Sequence, residues 1–311
     1  MLPRPYRSSD IGGVVELLGR CLPAEKIDEA KFVRQVLLDP NFNRDGALVA
    51  EEDGTIVGFV FSIAPRTFKS DPIELQGRGY ITLLAVTEDA RGKGVGNGLL
   101  DEAEVYLITQ NRKGVWIAPY GPGYFTPGVD LAAHPDGIAF LQKRGYEEVY
   151  RPLSMSVDLK TLKAPDWVAQ RESSASDIEI LPWKGELTLP LLAFAGQDFG
   201  PDWVRYVREG IGGILRGDTK ERLWVARDRE TGKVVGFSHF EKDRFGPIGI
   251  SREHRGRGLG HILMFRTLLS QAKQGFESAY FLWSDDNTAR KLYDAAGFKE
   301  ARRFVVLKKA L

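Results

Sequence analysis

Arg91-Gly92-Lys93-Gly94-Val95-Gly96 recurs 164 residues downstream as Arg255-Gly256-Arg257-Gly258-Leu259-Gly260. Both copies read Arg-Gly-basic-Gly-aliphatic-Gly, both follow a short apolar run, and both open a segment with helical spacing. Glycines in a strand-to-helix turn allow positive φ and a close backbone approach, so successive N–H groups can converge on an oxyanion. The helix beyond adds its uncapped N–H groups and the positive end of its dipole. Repetition separates this from a chance tight turn, and the chain reads as two copies of one phosphate-cradling unit.

Spacing narrows the ligand. A Walker loop needs four residues between Gly and Gly-Lys-Ser/Thr, which this chain lacks. The dinucleotide fingerprint needs a third glycine in register, where Asn97 and His261 stand instead. What remains resembles the acetyl-CoA signature of the GCN5-related N-acetyltransferase (GNAT) family, Gln/Arg-x-x-Gly-x-Gly/Ala, at Arg91, Gly94 and Gly96 and again at Arg255, Gly258 and Gly260. Each loop lies between a strand, Tyr80 to Val86 or Pro247 to Ile250, and a long amphipathic helix. Leu99, Ala103 and Tyr106 define one apolar stripe and Ile262, Phe265, Leu269 and Ala272 the other.

The 311 residues suffice for two domains, and 43 Lys plus Arg against 42 Asp plus Glu leave no global field for a polyanion. Nucleic acid and membrane partners are therefore not expected. Met1-Leu2-Pro3-Arg4-Pro5 lacks a signal peptide's apolar core, and no apolar run nears the roughly 18 residues of a membrane span. One cysteine, Cys21, cannot form an internal disulfide and is expected buried on the first helix. A cytoplasmic protein is expected, with a homodimer allowed.

Each half begins alike, with a short strand (Pro5 to Arg7; Ile178 to Pro182), helical segments and a strand pair. Ala47 to Glu51 and Thr55 to Ile63 flank Asp53-Gly54, and Leu223 to Ala226 and Val234 to Phe240 flank Arg229-Glu230-Thr231-Gly232, so both pairs read as hairpins. Residues 161–176 carry no sustained apolar period and are read as a linker between domains 1–160 and 177–311. The fold class is α/β (α+β), two tandem domains with mostly antiparallel mixed sheets flanked by helices. The resemblance implies that each sheet splays at a bulged fourth strand, with the CoA arm entering the gap.

Later in each repeat comes a strand, Val115 to Ala118 or Ala279 to Trp283, then a helix ending in Gly-aromatic. The second repeat reads Asn287-Thr288-Ala289-Arg290-Lys291-Leu292-Tyr293-Asp294-Ala295-Ala296-Gly297-Phe298, close to the family's Asn-x-x-Ala-x-x-Leu/Phe-Tyr-x-x-x-Gly-Phe. The resemblance assigns Tyr293 as general acid and Asn287 as a contact to the CoA arm. The chemistry is sensible, because CoA leaves as a thiolate of pKa about 8.5 and a phenol near 10 can return its proton. Aligning Gly145-Tyr146 with Gly297-Phe298 puts Leu141 at the tyrosine position, Pro135 at the asparagine and Phe140 opposite Leu292. Leucine cannot protonate a thiolate.

The first repeat also carries 12 extra positions, mostly in 119–135, a stretch with Tyr120, Tyr124, Phe125 and His134. Such a loop either rims an acceptor pocket or packs between the domains. An amine acceptor, protonated at neutral pH, needs a base, and Glu241 is taken as the candidate, with His239 and Glu253 also near the loop-bearing strand. The four histidines lack metal-ligand spacing, so no metal is expected.

The resemblance further implies a backbone N–H that polarises the thioester for direct attack, from Leu84-Ala85-Val86 or Ile248-Gly249-Ile250. The cofactor-binding set is thus Leu84, Ala85, Val86, Arg91, Gly92, Lys93, Gly94, Val95, Gly96, Ile248, Gly249, Ile250, Arg255, Gly256, Arg257, Gly258, Leu259, Gly260 and Asn287. The implied activity is acetyl transfer from acetyl-CoA to a small-molecule or peptide amine. Alternatives are an acyl-CoA-binding module without catalysis, or catalysis confined to the first repeat.

Overall fold

The computed structural model describes residues 2–66, 73–121, 123–284, 286 and 288–311. Its chain divides into Met1–Pro152 with Arg303–Leu311, and Leu153–Arg302. The first unit runs β1 (Arg4–Pro5), α1 (Ile11–Cys21), α2 (Glu29–Phe32), β2 (Ala47–Glu52), β3 (Thr55–Ile63), α3 (Ile73–Gln76), β4 (Arg78–Val86), α4 (Val95–Thr109), β5 (Gly114–Ile117), β6 (Val129–Asp130), α5 (Pro135–Lys143) and β7 (Glu147–Tyr150). The second runs β8 (Leu153–Asp158), α6 (Asp166–Ser174), β9 (Ile178–Pro182), α7 (Thr188–Asp198), α8 (Pro201–Leu215), β10 (Leu223–Asp228), β11 (Val234–Glu241), β12 (Arg244–Ile250), α9 (Leu259–Lys273), β13 (Ser278–Ser284) and α10 (Thr288–Asp294). The chain ends in β14 (Lys299–Ala310). No helix among the described residues is long and apolar enough to cross a membrane.

Both expected hairpins form. Asp53 and Gly54 take φ of 50° and 78°, the left-handed pair that lets a two-residue turn follow the strand twist between β2 and β3. In the first unit the strands pair in the order β1-β2-β3-β4-β5-β14, and only β4 and β5 run parallel. The second repeats this as β9-β10-β11-β12-β13-β8, with only β12 and β13 parallel. Helix α4 covers one face of the first sheet, burying Leu99, Ala103 and Tyr106. Helix α9 does the same in the second, but its stripe runs through Ile262, Phe265 and Leu268, while Leu269 is 37% exposed. The buried face of α9 is thus displaced by one residue from the expected stripe at this turn.

The last strand of each sheet departs from the sequence reading. Beside β5 lie Lys308, Lys309 and Ala310 from the chain's end, and beside β13 lie residues of β8, which precede the second repeat. Residues 153–160 therefore serve the second unit and 303–311 the first, and the expected linker 161–176 holds α6. Composition and periodicity identify a strand but not the edge on which it pairs.

Each fourth strand carries one extra residue. Leu83 and Ile81 pair with consecutive Phe61 and Ser62, leaving Thr82 bulged. On β12, three steps from Phe245 to Ile248 match two from Phe240 to Ser238, so the extra residue falls at Gly246-Pro247. His239, 4% exposed on β11, braces that bulge: Arg222 Nε donates to its Nε2 at 3.1 Å, leaving Nδ1–H for the Gly246 carbonyl at 3.3 Å. Burial, aided by the Arg222 charge, pushes the imidazole down to about 4.

Two outcomes follow from this architecture. Leu307, fully buried in the first unit's core, should cost about 2–5 kcal/mol when changed to Ala. Hydrogen exchange should then rise in α4 and β5 and stay unchanged in α9; the reverse pattern would contradict the assignment of this strand. For His239 the folded imidazole titrates below the unfolded one, so its contribution is present above pH 6.5 and is lost as pH falls toward 4, by about 3 kcal/mol at most. Urea unfolding of wild type against His239→Gln across that window should show a difference that shrinks with acidity, and a constant difference would refute the buried neutral ring.

Candidate active sites

The bulges set up the sites. In the first unit β4 pairs with β5 only from Arg78 to Ile81, and the two diverge beyond Ile81 and Ile117. In the second, β12 and β13 share the single pair Arg244 and Tyr280 before parting. Thr87 and Ser251 donate back to β3 and β11, to Val57 and Val235 at 2.9 Å. Alternation along a strand then turns Ala85 and Gly249 toward those same neighbours, and Leu84, Val86, Ile248 and Ile250 toward the gap. Of the two expected triplets, the outer residues turn their N–H groups to the opening, and the middle ones belong to the ladder.

Each opening leads into a glycine loop of the same shape. Arg91 and Arg255 are extended, with φ of −67° and −66°, and each Nε donates 3.3 Å to the strand's last carbonyl, Val86 or Ile250. Gly92 and Gly256 take φ of 74° and 80°, and Gly94 and Gly258, the N-caps of α4 and α9, take 86° and 82°. That conformation strains any residue with a Cβ and turns the following N–H groups outward together. Val95 and Leu259 are buried as the first helical residues, while Lys93 and Arg257 point outward, pairing with Glu52 at 3.9 Å and Asp177 at 2.6 Å. Gly96 and Gly260 pack on the next helix at Phe140 and Leu292, the pair the sequence alignment equated.

In the first unit nothing lies within 4 Å of a Cβ placed on Gly92 or Gly94. The residues at both loops fit the phosphate arm of CoA, offering clustered N–H donors at a helix start and a strand edge left unpaired. Cys21, at the end of α1, is half-buried, and its thiol, pushed up by burial, lies 3.5 Å from the Val86 carbonyl. Leu141 is buried in the α4-side core. Tyr120 and Phe125 enter the first unit's other core layer, with Tyr120 OH donating to Asp39 and accepting from Asn41. Those two rings of the long loop therefore pack in their own unit's core.

In the second unit Tyr293 stands at the vertex of the opening. Its ring packs 4.3 Å from Phe281 on β13 and 6.3 Å from Phe245 on β12, the strands that part there. Glu241 pairs in register with Arg244 at the same level, on the opposite face with His239, and its carboxylate is 3.9 Å from Arg222. From Arg244 to Ile250 the strand spans about 20 Å, so vertex and glycine loop occupy its two ends. His239 engages both ring nitrogens and offers no base. Glu253 lies exposed on the turn before the glycine loop, and Asn287 lies outside the described residues.

The sequence reading missed two neighbours of this site. Phe199 and Trp203, stacked at 4.1 Å, lie against Gly249, where a Cβ would meet Phe199 at 2.4 Å. Arg171 of α6 lies over Gly258, its Cδ 2.7 Å from a Cβ placed there. A glycine in a strand signals a close approach, which marked Gly249 in principle.

Comparison with known proteins agrees with this geometry. Residues 13–120 match the acetyltransferase (GNAT) family model, and residues 219–300 match the acetyltransferase (GNAT) domain model. A mycothiol acetyltransferase from Mycobacteroides abscessus is 24% identical over 272 residues, 82% of this chain and 81% of that protein. The GCN5-related glucosamine N-acetyltransferase region of a fungal multi-domain β-N-acetylglucosaminidase superposes with a TM-score of 0.81 at 22% identity, over 99% of this chain and 38% of that one, so this chain spans well under half its length. A tandem GNAT protein from the clavulanic acid biosynthesis pathway gives 0.68 at 17% identity, over 99% and 97% of the two chains. With one family match on each glycine loop and one splayed sheet behind each, the chain belongs to the GNAT acetyltransferase family, in its tandem two-domain form.

Proposed function

We propose that this acetyltransferase transfers the acetyl group of acetyl-CoA directly to a primary amine, in the second unit. The observation that carries the reading is the position of Tyr293 between Phe245 and Phe281, where β12 and β13 part. Acetyl-CoA, when bound, supplies the thioester carbonyl. The residues at Gly256 to Gly260 would hold its pyrophosphate, and the free N–H groups of Ile248 and Ile250 would hydrogen-bond along the arm and polarise the carbonyl. The Tyr293 hydroxyl would return a proton to the departing sulfur, and Glu241, on the other face at the same level, would take one from the amine through water. The Phe199–Trp203 pair on the acceptor face suits an amine on a ring or apolar body, and glucosamine, named for the fungal relative, heads the panel.

A second reading concerns the first unit alone. Its open loop and buried Leu141 favour an acyl-CoA-binding module without chemistry. A cytoplasmic setting fits both readings, and a free metabolite or a peptide amine fits the first.

Thiol release from acetyl-CoA should be followed with glucosamine, amino acids and peptide N-termini as acceptors. Tyr293→Phe keeps the ring packing and should lower kcat about 100-fold or more. Full activity in Tyr293→Phe combined with loss in Gly94→Asp would move the reaction to the first unit, and no acetyl-CoA-dependent turnover with any amine would sink the proposal.

A further inference from the structure

We infer that Arg171, on a helix outside the repeated motif, is a phosphate-contacting residue of the second glycine loop. This rests on the reading of that loop as a CoA site. The guanidinium is stacked 4.4 Å over Trp167, one turn earlier on α6, and its Nη1 donates to His261 Nδ1 at 3.2 Å. His261 sits in the first turn of α9, and burial, then the Arg171 charge, holds it below its ordinary value, so it accepts as a neutral ring. The aliphatic part of Arg171 rests on Gly258.

Helix α6 is fastened where it must be for this. Val168 enters the α9-side core, Trp167 packs edge-on to Phe265, Glu172 takes both its bonds from Arg266 at 2.8 and 2.9 Å, and Asp177 just beyond takes Arg257 at 2.6 Å. Glu172 and Asp177 are thus committed to other arginines. Among the described residues no carboxylate pairs with Arg171 itself. A cation, a nest of N–H groups and the positive end of a helix dipole converge, the Asp177 carboxylate being taken up by Arg257, and each raises the potential felt by the others. A phosphate oxyanion resolves that arrangement, because a charge-assisted bond from arginine adds to the backbone donors. Among the described residues no helix like α6 precedes the first unit's β1.

The test is calorimetric titration of acetyl-CoA into Gly94→Asp protein, in which the first loop is disabled, with and without Arg171→Ala or Arg171→Lys. Arg171→Ala should weaken binding about 10- to 100-fold and flatten its salt dependence, and Arg171→Lys should recover part of the loss. Affinity for S-acetylpantetheine, which has no phosphate, should not change. Unchanged affinity for acetyl-CoA would overturn the proposal, as would tighter binding, since Arg171 would then compete for the loop. An equal loss with acetylpantetheine would assign the effect to folding and overturn it too. Binding in wild type but none in the Gly94→Asp protein would remove the second loop as a cofactor site, whereas no binding in wild type would remove the proposed function itself.

Discussion

One surplus residue in each fourth strand governs what this molecule can do. A regular strand between two neighbours has every N–H and C=O engaged, and offers nothing to a ligand. With Thr82 bulged in β4 and Gly246-Pro247 in β12, pairing with the next strand stops after Ile81 in one unit and Arg244 in the other. The freed edge, Leu84 and Val86 or Ile248 and Ile250, is then held open by the helices on either face. Exposed strand edges invite pairing with another chain, and a cofactor arm of extended shape is a specific partner that satisfies the same groups. The glycine loop follows at the end of that edge, where the helix start supplies further N–H donors.

Bracing of the bulge differs between units. In the second, burial and then the Arg222 charge hold the histidine ring neutral, with Nε2 accepting from that arginine and Nδ1–H donating to the Gly246 carbonyl. The Arg222 that fixes the ring also reaches Asp218 and Glu241, linking the bulge to the candidate base through one guanidinium. In the first unit Thr82 Oγ1 donates to the Phe61 carbonyl at 3.4 Å, a weaker local tie. The unit with the tyrosine at its vertex is also the one whose bulge is tied into a charged network.

Much of this was legible in the sequence because it is encoded locally. The Asp53-Gly54 turn, the doubled glycine loop and the Phe140–Leu292 equivalence all rest on residue type at short spacing, and the structure reproduces each one. The exchange of final strands was not legible, since Leu153 to Asp158 and Arg303 to Ala310 have strand composition in either register, and only long-range pairing selects the sheet. Residues 161–176 misled for a related reason: α6 buries little besides Val168 and has no strong apolar period to reveal it. Arg171 was hidden by the same weakness, because a residue that approaches a loop from 87 positions away leaves no pattern in either segment.

The division between the repeats comes down to what stands on the two faces of the opened strand. In the first unit one face meets Leu141 and the other is a filled core layer in which Ala85, Tyr120 and Phe125 are buried. In the second, Gly249 replaces the alanine and lets Phe199 and Trp203 approach the strand backbone directly, while Tyr293 occupies the opposite face near the vertex. Removing one methyl group from the strand thus leaves room for a stacked aromatic pair against its backbone, on the face opposite the tyrosine. Both units retain the same glycine loop at a helix start. A tyrosine at one position and a glycine at another are thus what distinguish two otherwise matching scaffolds.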